Sequence, residues 1–235
     1  MNSLNVLTLL FSFIAVFVGL QLYDRYGPYL RVRRNLLRRL GSPVSLLRGN
    51  PPNNRDYDPA AFQAYEQAFN SSGFTKLGEG ELTKPGQQHL PNFFMFFSHP
   101  EMNCAAIARQ VFTGHLPNAG VQVSITTRME DGTRILTRNA QTYSDLTLPE
   151  EILVIVPDRP AQRIIDSHFQ RLSALKPFKP LPTPTTLEEC LALINERGVR
   201  QVQAMREKRT LRVAVSFFKW RKIRRAARQS ANQES

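Results

Sequence analysis

Val121–Asn139 reads VQVSITTRMEDGTRILTRN. Val121, Val123, Ile125, Thr127 and Met129 alternate with Gln122, Ser124, Thr126, Arg128 and Glu130. Successive side chains of a strand point to opposite faces, so this is a strand with one apolar and one polar side. Register then locates the turn. A two-residue loop at Asp131-Gly132 sets Met129 beside Arg134 and Ile125 beside Arg138, which mixes the faces. A three-residue loop, Glu130-Asp131-Gly132 with the glycine left-handed, pairs Met129 with Thr133, Thr127 with Ile135 and Ile125 with Thr137. A slip of one residue inverts every side chain, so only the second loop preserves an apolar face. The same register collects Ser124, Thr126, Arg128, Arg134, Leu136 and Arg138 on the other side.

Further strands flank this hairpin. Phe93–Phe97 is apolar at both alternating positions, as expected of a strand covered on both sides. Cys104–Phe112 follows a turn-like HPEMN at 99–103, and Ile152–Val156 reads as a last short strand. Asp58-Pro59 is an N-cap with proline at the first helical position, and Ala61, Phe62, Tyr65, Ala68 and Phe69 follow at helical spacing. That helix ends before Ser71-Ser72-Gly73. Asp158 is expected to cap a helix through Leu175, with Ala161, Ile165, His168, Leu172 and Leu175 on one stripe. Helix, antiparallel β-meander and helix make an α+β domain over residues 59–175, preceded by a turn-rich linker at 49–58.

The chain of 235 residues has a net charge of +12, concentrated in two arms. Residues 24–56 hold eight arginines against Asp24 and Asp56. Residues 206–234 hold ten lysines and arginines against Glu207 and Glu234. The remainder is slightly acidic. Ahead of the first arm, Leu4–Tyr23 contains no charged residue. About 20 apolar residues at a rise of about 1.5 Å cross a hydrocarbon core of about 30 Å. No lysine or arginine precedes the run and no small-x-small cleavage site precedes Asp24, so residues 1–25 read as a transmembrane anchor rather than a cleaved signal peptide. Positive flanks stay cytoplasmic, which makes this a single-pass protein with its N-terminus out and the bulk of the chain cytoplasmic.

Residues 26–48 form a basic juxtamembrane amphipathic helix in this reading. Pro28 suits its start, and Gly41 with Pro43 its end. Tyr29, Leu30, Val32, Leu36, Leu37 and Leu40 project to one side; Arg31, Arg34, Arg38 and Arg39 project to the other, with Arg33 the exception. Such a helix lies in the headgroup plane with its guanidinium groups toward anionic lipid. At the other end, residues 176–185 are a proline-rich spacer. Residues 186–235 are a helical basic arm. Thr185 and Glu188 suggest a capping box, with Leu187, Cys190, Leu191 and Ile194 on a helix ending near Gly198. A second helix from Val199 to Gln229 would carry Lys219, Arg221, Lys222, Arg224, Arg225 and Arg228 as a further surface for anionic lipid.

Signals of chemistry are sparse. Cys104 and Cys190 are the only cysteines, too few for a disulfide framework. There is no phosphate loop, dinucleotide glycine pattern, nucleophile elbow or HExxH, and no cofactor or metal is implied. His99, Cys104 and His168 could supply a Cys–His couple only if the fold assembled one. Arg128, Arg134 and Arg138 on adjacent strands form a candidate ligand face for a carboxylate or phosphate. The expectation is therefore a non-catalytic interaction or scaffold module with an unidentified protein partner, held at an anionic membrane surface. The alternatives are nucleic-acid or ribosome binding through the C-terminal arm, where Phe218 and Trp220 could stack bases, and a membrane-tethered enzyme using His99, Cys104 or His168.

Overall fold

Asp58 ends an irregular segment by accepting the Ala61 N–H on Oδ1 at 2.9 Å, and Pro59 follows in the first helical turn. The resulting helix, α1 (Pro59–Ser71), buries Phe62 and Phe69 and stops at Gly73, whose φ is +86°. The computed structural model in which this is seen describes residues 31, 34–35, 37–38, 40–47, 57–84, 92–111, 120–140, 147–157, 160–175 and 179–207. The uncharged run 4–23, expected to be a transmembrane anchor, and the basic residues from 208 onward lie outside the described residues. Among those described, no helix is long and apolar enough to cross a membrane.

Seven strands form one sheet in sequence order: β1 (Ser45–Leu47), β2 (Thr75–Thr83), β3 (Asn92–His99), β4 (Cys104–Val111), β5 (Gln122–Arg128), β6 (Arg134–Arg138) and β7 (Glu151–Ile155). The β5–β6 hairpin has the register argued from alternation, with Thr127 opposite Ile135 and Ile125 opposite Thr137. Met129 N–H donates to the Thr133 carbonyl at 2.8 Å, and Gly132 has φ +87°, so the loop is the three-residue one. The antiparallel meander ends there. β7 joins β6 in parallel, and the sheet is mixed. Parallel neighbours need a crossover connection, and a last apolar run by itself says nothing of its direction.

Two strands have no clear signature. β1 is three residues long, and β2 reads TKLGEGELT, with an irregular register between Lys76 and Gly78. Charges and glycines interrupt the alternation that would reveal it.

Both faces of the sheet are covered. On one, α1 and α2 (Ala161–Ala174) pack Phe62, Phe69, Ile164 and Ile165 against Phe93, Met95, Phe97, Val123 and Ile125. On the other, α3 (Leu187–Glu207) packs Leu187 and Cys190 against Phe94 and Phe96. This explains why β3 is apolar at every second residue on both sides: Phe93, Phe96 and Phe97 are 0% exposed.

Three local expectations change. α2 begins at Ala161 after Pro160, with no side-chain cap; Asp158 lies outside the described residues. The capping box of α3 is one residue later than Thr185 and Glu188. Thr186 Oγ1 accepts the Glu189 N–H at 3.2 Å, while the Glu189 carboxylate accepts Thr185 N–H at 2.7 Å and Thr186 N–H at 3.3 Å. Gly198 does not end the helix, which runs through it to Glu207. A Cβ at Gly198 would lie 2.7 Å from the Leu40 carbonyl oxygen, so the glycine serves close approach rather than termination.

The proline-rich stretch also belongs to the fold. Glu130 N–H donates to Lys179 O at 3.0 Å, and Leu181 N–H to Arg128 O at 2.7 Å, beside a bridge between Met129 and Pro180. Ser98 Oγ donates to Pro184 O at 2.5 Å. The segment thus crosses the turn end of the sheet and leads to α3 on the opposite face. Leu40–Gln203, including β1 and most of α3, is one compact unit.

Candidate functional site

Register brings Arg128, Arg134 and Arg138 to the sheet face that lies under α3. Arg128 pairs with Arg134 across β5–β6, and Arg134 with Glu151 across β6–β7. α3 answers this row with charges of its own. Arg134 Nη2 donates to Glu196 Oε1 at 2.9 Å. Arg197 is bidentate to Glu151, through Nε at 2.5 Å and Nη2 at 2.8 Å. Arg200 extends the set to Glu150 at 3.3 Å and Glu196 at 3.1 Å. The Glu151 side chain is 1% exposed. Burial by itself would raise its pKa, but the Arg197 hydrogen bonds and charge, with the Leu148 N–H, hold it below the usual carboxylate range.

Arg138 ends β6 and is half-buried, whereas Arg134 is buried. Burial, followed by the neighbouring Arg109 and Arg197 charges, lowers the pKa of Arg138 to about 9, against the opposing pull of Glu151. Around Arg134 this face is an ion-paired layer between sheet and helix. A carboxylate reaching Arg134, itself 5% exposed, would have to displace Glu196. Glu196 was not legible as the partner of Arg134, nor Arg197 as the partner of Glu151, because each pair lies far apart in the chain and only the packing of α3 joins it.

The histidine and cysteine candidates lie on the other face. His99 and Cys104 are register partners that close the β3–β4 hairpin. His99 packs edge-on against Phe74 and Phe169, with ring centroids 5.0 Å and 5.7 Å away. Cys104 is fully buried, and burial pushes its thiol up to about 12. A reactive cysteine needs the reverse, a thiolate favoured by a nearby cation. His168 of α2 bridges two strands, its Nε2 3.0 Å from Thr127 Oγ1 and its Nδ1 2.9 Å from Thr137 Oγ1. One nitrogen donates and the other accepts. Burial lowers its pKa to about 4, so the ring is neutral near pH 7. Both nitrogens are engaged by hydroxyls, and neither is turned to a substrate. Among the described residues no group of His, Cys, Asp and Glu is placed to hold a metal ion.

Of the basic candidates, Arg31, Arg34 and Arg38 fall among the described residues. They are helical and exposed, and Leu37 and Leu40 are half-buried. Arg33, Arg39, Lys219, Arg221, Lys222, Arg224, Arg225 and Arg228 lie outside the described residues.

Comparisons with protein-family models, with curated proteins and with solved structures found no match to this chain.

Proposed function

We propose that this protein is a membrane-anchored, non-catalytic interaction module. Residues 4–23 cross the bilayer once, the N-terminus faces out, and the bulk of the chain lies on the cytoplasmic side, with the basic residues of both arms directed to anionic lipid. One observation carries the reading: an uncharged run of bilayer length is followed at once by a stretch whose described arginines, Arg31, Arg34 and Arg38, are helical and exposed. The buried thiol of Cys104 and the doubly hydrogen-bonded His168 weigh against catalysis by those groups.

The test is made in intact membranes with the full chain. The protein should stay in the bilayer through an alkaline carbonate wash. Protease or a thiol-free labelling reagent confined to the outside should leave the segment beyond Gly198 untouched. Release by the wash, or labelling of that segment from outside, overturns the placement. Retention of RNA on the purified full chain, with steep salt dependence, would assign the C-terminal arm to nucleic acid instead.

A further inference from the structure

β7 is the last strand of the sheet, and among the described residues no strand lies beyond it. Edge strands of natural proteins are commonly blunted by brevity, charge, proline or a bulge. β1, at the opposite edge, has only three residues. β7 reads EILVI, with four consecutive aliphatic residues and no charge after Glu151. Its inner side is used. Arg134 N–H donates to Glu150 O at 2.9 Å, and Val156 N–H to Arg138 O at 2.8 Å. In a parallel ladder the alternate residues face the other way, so the N–H and C=O groups of Leu153 and Ile155 point outward.

Beside this edge lies an open groove of about 520 Å³. One wall is Ile152–Val156, and the other is the α2 side chains Ser167, Gln170, Arg171 and Ala174. Ile155 is 38% exposed at its rim. Among the described residues Arg171 is the groove's only ionisable side chain; it is exposed, and no ion pair is made to it there.

We infer that the outer edge of β7 and the groove beside α2 receive an extended segment of a partner protein, which adds a strand to the sheet. That segment places aliphatic side chains against Ile152 and Val154 and a carboxylate against Arg171. The inference deepens the interaction-module reading and shares its premise of a protein partner, but does not depend on a bilayer. Strand addition draws affinity from main-chain hydrogen bonds and specificity from alternate side chains. The outward groups of Leu153 and Ile155 supply the former. The aliphatic wall and the single cation supply the latter, and they call for an acidic rather than a basic partner. A second copy of this chain fits less well, because the one acid its own β7 would bring, Glu151, is already held by Arg197.

The test uses the full chain in detergent micelles and a fluorescein-labelled seven-residue peptide. Glutamate, valine, valine and glutamate occupy its alternate positions, with threonine between them, so that either strand direction presents an acid to Arg171. A counterpart carries lysine for glutamate. Fluorescence anisotropy should show the acidic peptide binding at least tenfold more tightly than the basic one. Ile155→Pro removes an outward N–H at an edge position where proline is tolerated, and should weaken binding at least tenfold. Arg171→Glu, an exposed change that keeps the fold even should the proline variant fail to fold, should reverse the preference between peptides. Equal binding of both peptides, or a preference unmoved by Arg171→Glu, overturns the inference. So does a dimer of the full chain that Ile155→Pro dissolves and the acidic peptide does not. Carbonate resistance of the same protein is read separately, so the anchor and the docking edge fail independently.

Discussion

Burial of His168 between Thr127 and Thr137 lowers its pKa from 6.5 to about 4, and that shift is a stability term. The unfolded chain takes up the proton more readily than the folded one between those values. Stability is therefore complete above pH 6.5 and drains away as pH falls toward 4. The ceiling is about 3 kcal/mol, from about 1.4 kcal/mol per pKa unit. Urea midpoints measured across that range should fall with pH, and His168→Gln should flatten the slope over it. Glu151 gives a second prediction. Its carboxylate is almost fully buried, so Glu151→Ala strands Arg197 against the sheet and should cost about 3 kcal/mol or more in denaturant unfolding. Replacing both partners, Glu151→Leu with Arg197→Met, should recover much of that loss, because the desolvation cost of both charges disappears with them.

α3 tests the reading of elements. At an exposed helix interior, Gly→Ala adds about 1 kcal/mol of stability. Gly198→Ala should go the other way, by about 1–3 kcal/mol, because its Cβ would meet a backbone oxygen 2.7 Å away and backbone yields little. Thermal unfolding decides the sign; a gain in stability would overturn the role of Gly198 in close approach to Leu40. The shifted capping box makes a finer claim. Thr186 Oγ1 satisfies an orphan N–H of the first turn, so Thr186→Ala should cost about 1 kcal/mol. The Thr185 side chain only adds to a carboxylate that already accepts two backbone N–H groups, so Thr185→Ala should cost less.

For the molecule as a whole, charge segregation is the property that function would draw on. A chain lacking residues 1–25 retains the arginines at 31–39 and the basic residues beyond 206. Each basic side chain close to an anionic surface contributes about 1 kcal/mol, and the attraction falls off within a Debye length of about 10 Å at 0.1 M salt. Flotation with phosphatidylserine vesicles should show binding at low salt and release at high salt. Neutral phosphatidylcholine vesicles should not retain the protein. Salt-insensitive binding would point to apolar insertion rather than to the arms.

Alternation in Val121–Asn139 was enough to determine the β5–β6 register, because one buried face admits only one pairing of Ile125, Thr127 and Met129 across a glycine turn. The Asp58 cap, the doubly covered Phe93–Phe97 strand and the concentration of charge at the two ends were legible for the same kind of reason: each is a local pattern with a local cause. What required tertiary structure is everything that joins distant segments. β2 has no periodic signal and is held by its neighbours. The direction of β7 depends on its crossover. Arg134 and Glu151 acquire partners only when α3 is laid over the sheet, and Gly198 has its meaning from a carbonyl contributed by Leu40. Short-range patterns record which side of an element is apolar. Which element lies against that side is decided by packing among residues far apart in the chain.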